Sequence, residues 1–130
     1  MKKMIRLSLT ANILVLIPVC WGLFFNSAWV ANGFGEPTPA RGILLSIYGA
    51  ILLVSVGFLF KAEAIAVASL LLVQVLYKIT TPLSVGTFEN PVVISNLAIA
   101  ALHVATLGMI FRDTHSRLRQ PNASADSVTR

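Results

Sequence analysis

Residues 43–60 read ILLSIYGAILLVSVGFLF, eighteen successive positions without a charge. A helix of about 20 apolar residues crosses the hydrocarbon of a bilayer, and the workable range is about 17–25. This stretch therefore predicts a membrane span, and three more of the same kind flank it. Before it, residues 5–25 form a mainly apolar run interrupted by Asn12 and Pro18. After it come residues 64–79, with Gln74 and Lys78 near their end, and residues 92–111, with Asn96 and His103. The third run is short, and it is expected to reach the interface by letting Lys78 extend its ammonium toward water. The predicted fold is all-α: an integral membrane four-helix bundle formed by residues 1–112, followed by a disordered polar cytoplasmic tail over 113–130.

Composition agrees. Of 130 residues, 56% are hydrophobic and 12% charged, and the mean hydropathy is +0.81. A soluble domain of this length could not hide that much apolar surface. The net charge of +5 is spread over the termini and the flanks of the apolar runs, without a basic face. The expected partner is the lipid bilayer, and nucleic acid is not expected. Cys20 is the sole cysteine, which excludes an intrachain disulfide and a CxxC redox pair.

The connecting segments fit four spans. Lys61-Ala62-Glu63 has room only for a tight hairpin, whereas residues 26–42 hold Gly33, Gly35, Pro37 and Pro39, and residues 80–91 hold Pro82, Gly86 and Pro91. Trp29 and Phe34 suit an interfacial aromatic belt. The first run is expected to stay as a helix: at about 20 residues it exceeds the 7–15 of a signal peptide, and no small-x-small cleavage site follows. Four spans put both termini on one side with Lys2, Lys3, Arg6, Lys61, Arg112, Arg117, Arg119 and Arg130, leaving Arg41 and Lys78 on the other. The positive-inside rule then makes both termini cytoplasmic, and the expected location is a bacterial inner membrane.

Polar side chains within the spans are the candidates for function. None is a carboxylate: Glu36, Glu63, Glu89, Asp113 and Asp126 all lie outside. A proton-coupled small multidrug antiporter requires an acid within the membrane, so that class is disfavoured. Asn96 and His103 are seven apart on one face of the fourth helix, and Gln74, Tyr77 and Lys78 share a face of the third. Arg41, Tyr48 and Ser55 follow one line on the second. Tyr48, Gln74 and Asn96 are expected at one depth, roughly 6–9 Å below the surface, with His103 two turns deeper. These positions form either a polar ligand pocket facing outward or a set of packing contacts between helices. Arg41 and Lys78 are expected as interfacial anchors or as partners of an anionic group. No metal site is expected, because His103 and His115 are too few and too far apart for zinc or haem. Phosphate-loop and nucleophile-elbow motifs are absent.

The basic start followed by Leu14-Val15-Leu16-Ile17-Pro18, the loop containing Trp29, and Ser46-Ile47-Tyr48-Gly49-Ala50-Ile51-Leu52-Leu53 resemble the DoxX-like group of small four-helix bacterial membrane proteins. That resemblance implies an accessory or quinone-linked redox membrane subunit. Leu76-Tyr77-Lys78 and the segment 90–96 have no counterpart in the group's pattern, and no catalytic residue is carried over. The leading expectation is a non-enzymatic accessory or assembly subunit without a cofactor, joined to other membrane subunits or to copies of itself. The alternative is a binding protein or enzyme for a membrane-soluble ligand, a quinone or a lipid, held by Tyr48, Gln74, Asn96 and His103 with Tyr77, Lys78 or Arg41. A third is transport of a small solute by an oligomer.

Overall fold

Each long apolar run forms one helix in the computed structural model, which describes residues 1–61 and 63–118. The elements are α1 (Lys2–Phe24), α2 (Ala28–Phe34), α3 (Pro39–Phe60), α4 (Ala64–Val85) and α5 (Pro91–Leu118). No strand occurs among the described residues. Helices α1, α3, α4 and the Pro91–Ser116 part of α5 are each long and apolar enough to cross a membrane. They also leave Leu14, Leu53, Phe60, Ile65, Leu83 and Ile94 uncovered. Such apolar outer faces, with backbone hydrogen bonds closed inside each helix, suit a multi-pass membrane protein.

The helix ends differ from the sequence expectation for reasons the local chemistry supplies. Helix α4 was expected to stop at residue 79, before Pro82, but it continues to Val85. Proline removes one backbone donor. The carbonyl left without that donor is Lys78 O, four residues back, so the helix loses a single bond there; in the preceding turn Thr81 Oγ1 donates to Tyr77 O at 2.8 Å and Thr80 Oγ1 to Leu76 O at 3.1 Å. The true stop is Gly86, in the left-handed region at φ 77°, whose N–H bonds Pro82 O. Pro39 and Pro91 open helices instead of breaking them. Thr38 caps α3 through the Arg41 N–H, and Asn90 Oδ1 accepts from Val92 N at 2.8 Å to cap α5. Helix α5 runs on to Leu118, so the segment 113–118 is helical. The remainder of the expected tail lies outside the described residues.

Within residues 26–42, expected as a loop, seven residues form α2. Arg41 clamps both ends of this helix, donating from Nη1 to Gly35 O (2.8 Å) and from Nη2 to Asn26 Oδ1 (2.9 Å). Val30 is fully buried against α1. Asn90 Nδ2 reaches from the start of α5 to Gly33 O at 3.1 Å. Helix α2 thus lies across one end of the bundle, opposite the end that carries the termini.

Helix α1 packs on α3, α4 packs on α5, and α1 joins the two pairs by touching α5. Two apolar cores result. One, at the terminus end, contains Ile5, Leu9, Val67, Leu71, Leu107 and Ile110. The other, under α2, contains Leu16, Leu23, Val30 and Tyr48.

The seat of α2 depends on Gly22. A Cβ there would overlap the Trp29 ring and stand 2.8 Å from Val30 Cγ2. Gly22→Val should therefore destabilise the protein by about 1–3 kcal/mol through overpacking. Gly57, with nothing within 4 Å of its Cβ position, provides the control. Thermal unfolding in detergent should show a lowered Tm for Gly22→Val and an unchanged or raised one for Gly57→Ala, which lies inside α3; equal Tm values would mean that α2 is not seated on Gly22.

Candidate functional site

Three hydrogen bonds between helices set the register of the bundle. Ser8 Oγ on α1 lies 2.6 Å from His103 Nδ1 on α5, and Asn12 Nδ2 donates to Ser55 Oγ on α3 at 2.8 Å. Lys78 Nζ on α4 donates to Asn96 Oδ1 on α5 at 3.0 Å. Neighbouring helices here are antiparallel, so a step of one residue along one matches a step back along the other. Lys78 opposite Asn96 brings Gln74 level with Ala100. Ser8 opposite His103 brings Asn12, and with it Ser55, to the same level as Gln74. The polar side chains therefore occupy successive levels. Lys78 and Asn96 are nearest α2. Gln74, Asn12 and Ser55 lie about 6 Å further in at 1.5 Å per residue, and Ser8 with His103 come about one turn beyond.

The expected single depth for Tyr48, Gln74 and Asn96 does not occur. Because α4 extends to Val85, Gln74 sits in mid-helix and Lys78 takes the place opposite Asn96. Nor does Lys78 extend its amine toward the surface: the residue is 2% exposed and its amine stays on Asn96. Lysine has only donors, so the Asn96 amide must present its oxygen. Asn96 Nδ2 makes a long contact of 3.5 Å to Thr81 Oγ1. Lys78 Nζ also lies 4.9 Å from the Tyr77 ring centroid, within cation–π range.

A cavity of about 380 Å³ opens beside this pair. Val15, Leu16 and Val19 of α1 face Pro91, Val92 and Ser95 of α5 across it, and Trp29, Asn32, Gly33 and Phe34 of α2 cover it. Its polar wall is Tyr48, Lys78 and Asn96. A second cavity of about 650 Å³ lies on the other side of Asn32, Gly33 and Phe34, also bordered by Tyr48 and Asn96. Its further lining is more polar, with Tyr77, Thr80, Thr81, Ser84 and Asn90. The Phe34 and Tyr48 rings meet edge to face at 6.2 Å, and Tyr48 and Tyr77 are 6.4 Å apart, so an aromatic partition stands between the two spaces.

Of the residues singled out in the sequence, Tyr48, Lys78 and Asn96 come together on the first cavity and Tyr77 on the second. Gln74 and His103 are fully buried at deeper levels and line neither. Three of their polar atoms, Gln74 Nε2 and Oε1 and His103 Nε2, have no hydrogen-bond partner, and neither has Tyr77 Oη. Arg41 is 7% exposed and employed in holding α2, beside a separate small cleft with Asn26 and Thr38. Trp29, Gly33 and Phe34 were expected in an interfacial loop and Asn32 was not singled out, because nothing in a Gly- and Pro-rich connection marks a seven-residue helix. Ser8 was legible: with Asn12 four residues on, it forms a polar stripe on α1.

Among the described residues, no three of His, Cys, Asp and Glu gather at a point that could hold a metal ion. No protein-family model, curated protein or solved structure matches this chain.

The energetics of Lys78 separate a structural role from a binding one. A buried ammonium with a neutral partner is a net cost to the fold. Lys78→Met, which keeps the stem and removes the charge, should leave stability unchanged or raise it. Asn96→Leu removes the amine's one hydrogen-bond acceptor and should cost about 1.5–3 kcal/mol. Unfolding measurements on both variants in the same detergent decide this; a large loss of stability in Lys78→Met would make the lysine a packing device.

Proposed function

We propose that this chain is a multi-pass protein of a bacterial inner membrane, with both termini in the cytoplasm, that binds a membrane-soluble ligand in the cavity under α2. The single observation carrying this reading is Lys78: a cation 2% exposed, with one neutral hydrogen-bond partner, on the wall of a largely apolar cavity. Ligand pockets commonly measure 300–1,000 Å³, with apolar walls and a few convergent polar groups. The cavity of about 380 Å³, with Tyr48, Lys78 and Asn96 on one wall and Asn32 and Ser95 also on its lining, has that make-up. The candidate ligands are a quinone, whose carbonyl needs donors, and a lipid, whose head needs a cation or a donor. Orientation rests on the basic residues that gather at the terminus end, including Lys2, Lys3, Arg6 and Lys61.

A second reading, an accessory or assembly subunit, is favoured by α3. That helix packs extensively on α1 alone and buries only Arg41, Tyr48 and Ser55. Gly42 and Gly49 have nothing within 4 Å of their Cβ positions, so a partner helix could approach closely there. The DoxX-like resemblance of residues 46–53 on this helix points the same way.

Purification from native membranes in mild detergent, with mass spectrometry of bound proteins and of extracted small molecules, distinguishes the two. The binding reading expects a lipophilic compound retained by the unaltered chain and lost from Lys78→Met. A stoichiometric protein partner, with no compound dependent on Lys78, would sink it in favour of the subunit.

A further inference from the structure

We infer that the cavity receives a single-chain amphiphile with an anionic head, the head resting on Lys78 and the chain lying between α1 and α5. This rests on the binding reading above and narrows its ligand. The charge argument comes first. Asp113, seventeen residues along α5 from Asn96, is the sole carboxylate within the four long helices, and among the described residues no carboxylate is paired with Lys78. An ammonium held away from water needs a counter-charge. A neutral carbonyl offers an acceptor but leaves the charge uncompensated, whereas a carboxylate or phosphate supplies both acceptor and charge.

Geometry supports the same ligand. Lys78 spends one donor on Asn96 Oδ1 and keeps the other two, while Asn96 Nδ2 lies 3.5 Å from Thr81 Oγ1 and the Asn96 amide also interacts with the Tyr48 hydroxyl. Those donors stand at the cavity wall beside Tyr48, enough for more than one oxygen of an anion. Away from this wall the lining turns apolar, with Val15, Leu16 and Val19 on one side and Pro91 and Val92 on the other. These residues belong to the two helices whose neighbouring Leu14, Ile17 and Ile94 are exposed. An alkyl chain can therefore lie between α1 and α5 and join the apolar surface outside. A free anion would leave that wall unused.

Trp29, at the cavity, reports occupancy. The chain's only other tryptophan, Trp21, is 66% exposed and away from this cavity, so Trp21→Phe isolates the signal. The full-length protein in detergent is titrated with a dibrominated long-chain alkyl phosphate, with the equally brominated alcohol, and with a short-tailed ubiquinone analogue, following quenching of Trp29. The expected result is saturable quenching by the phosphate, reversed by its unbrominated form, with the alcohol weaker by about a hundredfold or more. Lys78→Met should bring phosphate and alcohol to equal affinity; the alcohol still quenching shows that this variant folds. Equal affinities in the unaltered protein, or a phosphate preference that survives Lys78→Met, overturn the inference. Inorganic phosphate displacing the alkyl phosphate at comparable concentration overturns it in favour of a free-anion site. Saturable binding of the quinone but not of the phosphate overturns it while leaving the binding reading intact. No saturable quenching by any probe overturns both.

Discussion

In a medium without water every polar side chain inside a helical bundle must find its partner within the bundle. Here that constraint produces three bonds, Ser8 with His103, Asn12 with Ser55 and Lys78 with Asn96. Each spans a different pair of packed helices: α1 with α5, α1 with α3, and α4 with α5. Such bonds average only about 0.6 kcal/mol each in a membrane bundle. Their effect is geometric. A hydrogen bond fixes both the rotation of a helix about its axis and its sliding along its neighbour, which apolar side chains facing one another specify poorly. The positions of the cavity walls follow from that register.

The polar interior is also richer than these bonds require. Gln74 has both amide atoms without partners, and His103 keeps one ring nitrogen free at full burial. Unsatisfied groups of this kind typically cost about 1–3 kcal/mol each. Leucine at either position would spare the fold that cost, so packing alone does not account for the residue types. They continue inward from Lys78, level by level, a line of hydrogen-bonding capacity that starts at the wall of the cavity.

The four long helices were legible because eighteen or more apolar residues leave few alternatives, and residues 43–60 are the clearest case. Helix ends were less legible because proline's effect depends on position. Pro39 and Pro91 sit where their missing donor is not needed, and at Pro82 the neighbouring threonines take up backbone carbonyls. That end fixed the depth of everything on α4: six further residues move Lys78 inward from the boundary and turn it from an expected anchor into a buried cation. Arg41 looked equivalent in composition and spacing, yet it holds α2, because a guanidinium can bridge two acceptors on different segments. Periodicity put Tyr48, Gln74, Asn96 and His103 on the right faces. Only the inter-helix bonds could say which of them share a level.

The apolar core at the terminus end gives the bundle a direction. Beyond the Ser8 and His103 level, Ile5, Val67, Leu107 and Ile110 close the interior with apolar side chains, and the hydroxyl of the buried Thr106 turns back to Leu102 O of its own helix. Both cavities lie at the opposite end, near α2. The polar line thus ends blind: Gln74 and His103 are fully buried below the cavities, and apolar packing closes the far end. In this conformation a passage from the α2 side to the terminus end would require those packed side chains to part.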